Sequence, residues 1–179
     1  MSTPAPNPTG RRESRGEDGG GGDAIVFDRS FDSTPAEVWA ALTEPTLLER
    51  WIGTWSGDSA SGRVVFRMTS EGDDVPDEAV TILACTPGER LGLEIGVGAD
   101  ADAAAWKLEL TLESSSADGP TTLHFAQLLD DTSGIGDIAP GWEYYLDRLA
   151  AVLDGGNPSL ILFDDYHPGM SEHYRAMFA

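Results

Sequence analysis

Aromatic residues dominate the positions at which this chain could do chemistry. Trp39, Trp51, Trp55, Trp106, Trp142 and Tyr145 fall at or next to positions whose spacing turns them toward one interior. Indoles and phenols with a few polar groups among them commonly line small-molecule sites, since each offers a broad apolar face and one hydrogen-bonding edge. Packing accounts for such residues too, and Trp39 and Trp106, at regular spacing, read first as core. Polar candidates are few. His124 lies between Leu123 and Phe125 in an alternating run, where an imidazole could donate to a ligand or act as a general base. No acid is fixed near it by spacing. Gln127 and Arg67 could orient a ligand, and on an apolar inner face each would need a partner.

Other chemistries find less support. Cys85 is the single cysteine and ends the apolar run 79–84, so it reads as a buried structural thiol with no base assigned to activate it. Asp164, Asp165, His167 and His173 carry metal-ligating groups, but their spacing matches no closed site. The glycine run 19–22 has neither a strand before it nor a helix after it, unlike a phosphate-binding loop. We therefore expect ligand contacts from Trp51, Trp55, Arg67, Trp106, His124, Gln127, Trp142 and Tyr145, with no catalytic residue, metal or cofactor.

The elements that must hold these residues follow from periodicity. Trp142, Tyr145, Leu146, Leu149, Val152 and Leu153 recur at steps of three and four, which predicts a long amphipathic helix. Pro140 suits its first position and Gly155 the left-handed residue past its end. Ile25, Phe27, Arg29 and Phe31 alternate as a strand. Thr34-Pro35-Ala36-Glu37 is a capping box opening a short helix with Val38, Trp39 and Leu42. Pro45 ends that helix and opens a second, through Leu48 to Trp51 and Ile52, stopped by Gly53.

Five strands are predicted next, over 62–70, 78–84, 90–97, 105–113 and 120–129, with turns at 71–74 and Pro87-Gly88 and loops at 98–104 and 114–119. In the first, Val64, Phe66 and Met68 share one face and Arg63, Val65 and Arg67 the other. Alternation implies an antiparallel sheet with one buried face, and the simplest arrangement curls it around the final helix.

Residues 1–23 are rich in Pro, Gly, Ser and Thr and are expected to be a disordered tail. Residues 156–179 carry Leu160-Ile161-Leu162-Phe163 and a short helix from Ser171, too apolar to trail in water. They are expected to fold back on the domain or to cover a partner chain, which leaves a homodimer open. The formal net charge of −20 argues against nucleic-acid binding and against anionic membrane surfaces. One cysteine, no membrane-spanning run and no apolar leader fit a cytoplasmic protein.

This order of elements, with Phe31–Thr43, Leu47-Leu48-Glu49-Arg50-Trp51, Pro87-Gly88-Glu89-Arg90-Leu91, Thr122-Leu123-His124-Phe125 and Gly141–Leu149, resembles the helix-grip fold of the START/SRPBCC superfamily. Within it, the chain is similar to the branch homologous to the activator of the heat-shock-protein-90 ATPase, over residues 24–155. The resemblance implies an α+β fold with a curved antiparallel sheet wrapped around the long helix, and two short helices after the first strand. It also implies a cavity between sheet and helix, and it brings no catalytic motif. The co-chaperones that give the branch its name carry a separate N-terminal domain, where this chain has its short tail. Binding of a small hydrophobic or aromatic molecule without covalent chemistry is the expected function. The alternatives are a cyclase/dehydrase-type enzyme with a cavity acid–base residue, and a co-chaperone-like interaction module.

Overall fold

Among the described residues, eight antiparallel strands form one sheet in the order β1-β2-β8-β7-β6-β5-β4-β3. They span Arg11–Ser14 (β1), Asp23–Phe31 (β2), Thr54–Ser56 (β3), Arg63–Arg67 (β4), Asp77–Thr86 (β5), Arg90–Ile95 (β6), Trp106–Ser114 (β7) and Thr121–Leu129 (β8). The α-helices among the described residues are α1 (Pro35–Thr43), α2 (Pro45–Leu48), α3 (Ile135–Leu153) and α4 (Ser171–Met177). The computed structural model describes residues 5–16, 22–96 and 105–179. The predicted loop at 98–104 and most of the glycine run lie outside them.

The helix-grip architecture is the one expected. Strands β4 to β8 form a meander, and β2 closes on β8 with Phe27 opposite Phe125. Inner positions of β2, β7 and β8 are apolar and buried, among them Ile25, Leu108, Leu110, Leu123 and Phe125. Helix α3 lies against this face through Trp142, Leu146, Leu149 and Val152, all in the same core cluster. The capping box forms as read: Thr34 Oγ1 accepts from the Glu37 N–H at 3.3 Å, and Glu37 Oε2 accepts from the Thr34 N–H at 2.8 Å.

Helix α3 starts at Ile135, so Pro140 lies inside it rather than at its first position. Ile135 and Ala139 are fully buried and continue the apolar stripe backwards, which outweighs the one bond lost at the proline nitrogen. The far end closes as expected. Gly155 has φ +72°, its N–H donates to the Val152 carbonyl, and the Gly156 N–H donates to that of Ala151.

Two strands have no counterpart in the sequence reading. β3 pairs with β4, where Gly53 brings the chain so close that a methyl group there would strike the Arg67 carbonyl. β1 corrects the expectation of disorder over residues 11–14. It is an edge strand on β2, held by polar contacts: Arg11 to Asp28, and Arg12 and Ser14 to Asp23. Charge pairing fixes this strand instead of buried apolar area, the quantity on which the composition argument rests.

The C-terminal extension packs on α3 through Tyr166, Met170, Tyr174 and Phe178, all buried. Leu160, Leu162 and Phe163 stay exposed. No helix among the described residues is long and apolar enough to cross a membrane.

Candidate ligand cavity

The sheet curls away from α3 at the β4–β6 end, and the space left there is a cavity of about 480 Å³. Helices α1 and α2 and the turn after them close one side with Trp39, Leu42, Leu48 and Trp51. Strands β4 to β8 supply Phe66, Val80, Leu93, Leu110 and Phe125, and α3 supplies Trp142. All five tryptophans of the chain line it.

Three of these indoles are pinned by their N–H groups. Trp51 Nε1 donates to the Ala41 carbonyl at 2.8 Å, Trp55 Nε1 to that of Thr43 at 2.7 Å, and Trp142 Nε1 to Gln127 Oε1 at 2.6 Å. With the polar edge satisfied, the ring surface is what each can offer to the space. Trp142 also contacts Phe125, with ring centres 4.5 Å apart, and Trp106 at 6.1 Å.

A second cavity of about 350 Å³ adjoins the first and shares Met68, Glu71, Trp106 and Trp142 with it. Its other walls include Ile138, Tyr144, Tyr145 and Phe163. Tyr145 donates its hydroxyl to Glu71 Oε1 at 3.1 Å, and burial, together with that carboxylate, pushes the phenol well above its ordinary range.

The predicted site residues divide into three groups. Trp51, Trp55, Trp106 and Trp142 line the larger cavity, and Tyr145 lines the smaller. Gln127 is buried behind the wall as the acceptor for Trp142. Arg67 and His124 are corrected to the outer face. Arg67 pairs with Asp77 at 2.7 Å, and strand alternation turns it away from its inward neighbour Phe66. His124 bonds Asp28 through Nδ1 at 2.6 Å and Glu113 through Nε2 at 3.0 Å. Its hydrogen bonds to Asp28 and then Glu113 raise the imidazole above its ordinary pKa.

Cys85 is exposed rather than buried, and it borders the larger cavity. The cause is a bulge between Ile82 and Ala84. Ile82 faces inward opposite Leu93; the register then slips by one at Leu83, and Cys85 comes to lie opposite the inward Leu91. The extra residue reverses the alternation, so Leu83 points into solvent and the thiol joins the cavity face.

The cavity wall also includes residues outside the set expected from sequence, notably Trp39, Glu71, Glu78 and Cys85. Glu78 shares the inward face of Val80 and Ile82, a signal present in the alternation itself. Its carboxyl is raised above the ordinary range by burial and by the charge of Glu71.

A second cluster lies on the other side of α3. Glu143, fully buried, accepts from the Thr9 and Gly10 N–H groups at 2.5 and 3.1 Å and from Arg29 at 2.6 Å, and it also accepts from the Tyr174 hydroxyl. Burial acts to raise its pKa, but these hydrogen bonds together outweigh burial and hold the carboxyl below its ordinary value. Every oxygen is occupied, so the cluster binds segments together and leaves no group to act on a substrate.

With this geometry in hand, comparison with known proteins is informative. The family model for Activator of Hsp90 ATPase homolog 1-like protein matches residues 32–154. The chain belongs to this family. No curated protein matches the sequence. The crystal structure of CalU16 from Micromonospora echinospora is similar with a TM-score of 0.68 and 22% identity, covering 94% of this chain and 95% of that one. The solution structure of the BPP1335 product from Bordetella parapertussis gives 0.67 and 21%, covering 98% and 94%. DynU16, encoded in the dynemicin biosynthetic locus, gives 0.55 and 22%, covering 76% of this chain and 49% of its own. At these identities the likeness is one of fold.

Proposed function

We propose that this Activator of Hsp90 ATPase homolog 1-like protein binds a small hydrophobic or aromatic molecule, without covalent chemistry, in the cavity between sheet and α3. The observation that carries this reading is the concentration of every tryptophan around one space of about 480 Å³. A close-packed interior rarely leaves such a space, and its volume is within the range of small-molecule sites. The DynU16 gene's place in a biosynthetic locus is compatible with a small-molecule ligand.

Non-covalent binding is favoured over a cyclase or dehydrase by the outer position of His124, which keeps the imidazole away from the cavity. Trp39, Trp51, Trp55, Trp106 and Trp142 form the apolar contact surface, and Tyr145 lies at the opening into the smaller cavity. A cytoplasmic setting and a homodimer through exposed Leu160 and Leu162 accompany this reading.

Native mass spectrometry of protein purified from its own host tests the reading. A co-purifying small molecule, released on denaturation and able to quench tryptophan emission on return, is the expected result. Protein that carries none and shows no quenching or thermal shift across a library of apolar aromatic compounds would overturn it.

A further inference from the structure

The charge of the cavity wall narrows the class of ligand, given the reading just proposed. None of the eleven Lys and Arg residues and none of the three His residues lines either cavity. Among the described residues, the carboxyls that do are Glu78 in the larger cavity, Glu71 where the two meet, and Asp137 in the smaller.

The three acids differ in how they are satisfied. Asp137 accepts from His167 Nε2 at 2.8 Å, and Glu71 accepts from Tyr145. Glu78 is partly buried and, among the described residues, has neither a hydrogen-bond partner nor an ion pair. It projects from β5 beside Val80 and opposite Phe66, among apolar side chains. Neither neighbouring cation is free for it: Arg67, on the outer face of the paired strand, is bound to Asp77, and Arg148 donates to the Trp51 and Pro158 carbonyls, the Tyr144 hydroxyl and Ser70 Oγ.

A carboxylate in such a place costs free energy unless something pairs with it, and aromatic faces attract cations. We infer that the cavity selects a ligand with an aromatic or alicyclic body and an amine or other cationic nitrogen, seated at Glu78 and Glu71, and disfavours anionic amphiphiles such as fatty acids. The indoles would hold the body while the two carboxylates meet the charged end at the junction of the cavities. An anion in the same place would face two carboxylates with no cation in the wall to offset them.

Three probes that share one fluorophore test this with the full chain: dansylcadaverine, which carries an amine, neutral dansylamide, and dansyl-6-aminohexanoate, an anion. Energy transfer from tryptophan reports binding, because every tryptophan lines the cavity. Dansylcadaverine should bind about tenfold more tightly than the hexanoate. In Glu78→Gln, an isosteric change whose fold is checked by circular dichroism, that ratio should fall toward one, with dansylamide affinity little changed. If dansylamide binds while the amine and the carboxylate bind alike, or if Glu78→Gln leaves their ratio intact, the charge selection is wrong and the binding cavity stands. If none of the three shows energy transfer, the binding cavity falls and the charge selection with it.

Discussion

Trp142 Nε1 donates to Gln127 Oε1 at 2.6 Å, joining the long helix to the last strand within the wall of the cavity. Gln127 is buried, so its carbonyl depends on this donor. Trp142→Phe keeps an aromatic ring but strands the acceptor and should cost about 1–3 kcal/mol in urea unfolding. Gln127→Leu placed in the same background should recover much of that loss, because removing both polar partners is far less costly than removing one.

Glu143→Gln should be more damaging. The charge is buried and shared by Arg29, Tyr174 and the Thr9–Gly10 backbone, so its loss leaves Arg29 without its main partner. Breaking a buried pair in this way costs about 3–5 kcal/mol. Trypsin should then cut at Arg11, Arg12 or Arg15 faster than in the parent protein, measured by gel and mass spectrometry.

Glu143 also makes acid destabilising. Its carboxyl is depressed in the folded state, so the contribution is complete above the unfolded pKa, about 4.3. It is lost as pH falls through the lower folded value. The urea midpoint should drop over that interval in the parent, with a shallower drop in Glu143→Gln.

His124 acts in the opposite sense. Its pKa is raised on folding by Asp28 and Glu113, so its contribution is complete below the unfolded value of about 6.5. That contribution is lost as pH rises through the higher folded value. Urea midpoints taken from pH 5.5 to 8.5 should decline in the parent, and His124→Asn should remove that part of the decline. The site is partly exposed, so the change is expected to be small and to shrink at high salt.

Cys85 should react in the folded protein. A colorimetric thiol reagent should titrate one sulfhydryl without denaturant, since the side chain is exposed. A ligand filling the larger cavity should slow the reaction, because Cys85 borders it. Equal rates with and without a saturating ligand would place that ligand elsewhere.

Much of this architecture is legible in the amino-acid order, for reasons visible at particular residues. Leu108, Leu110 and Leu112 alternate with polar neighbours because one sheet face is wet, and the stripe from Trp142 to Val152 repeats because one helix face is buried. The same alternation that turns Phe66 inward puts Arg67 outside, and His124 lies out of phase with Phe125, so neither joins the cavity. Cys85 is different. Its direction depends on a bulge set by pairing with β6, where Gly92 lies opposite Ala84, and pairing across strands leaves no local trace. β1 leaves no apolar alternation to read, because it is held to its neighbour β2 by charged and polar pairs such as Arg12 with Asp23 and Arg11 with Asp28.

The reach of the Glu143 cluster bears on how the protein assembles as it is made. Gly10 meets Glu143 across 133 residues and the Tyr174 hydroxyl across 164. The segment that leaves the ribosome early must therefore wait first for α3, which carries Glu143, and then for α4, which carries Tyr174. Until then β1 has only its neighbour β2 to hold it, and contacts that close so long a loop form slowly. The seam between β1 and these two helices thus closes only once Tyr174 has been made, and nascent chains halted before it would emerge with that seam undone.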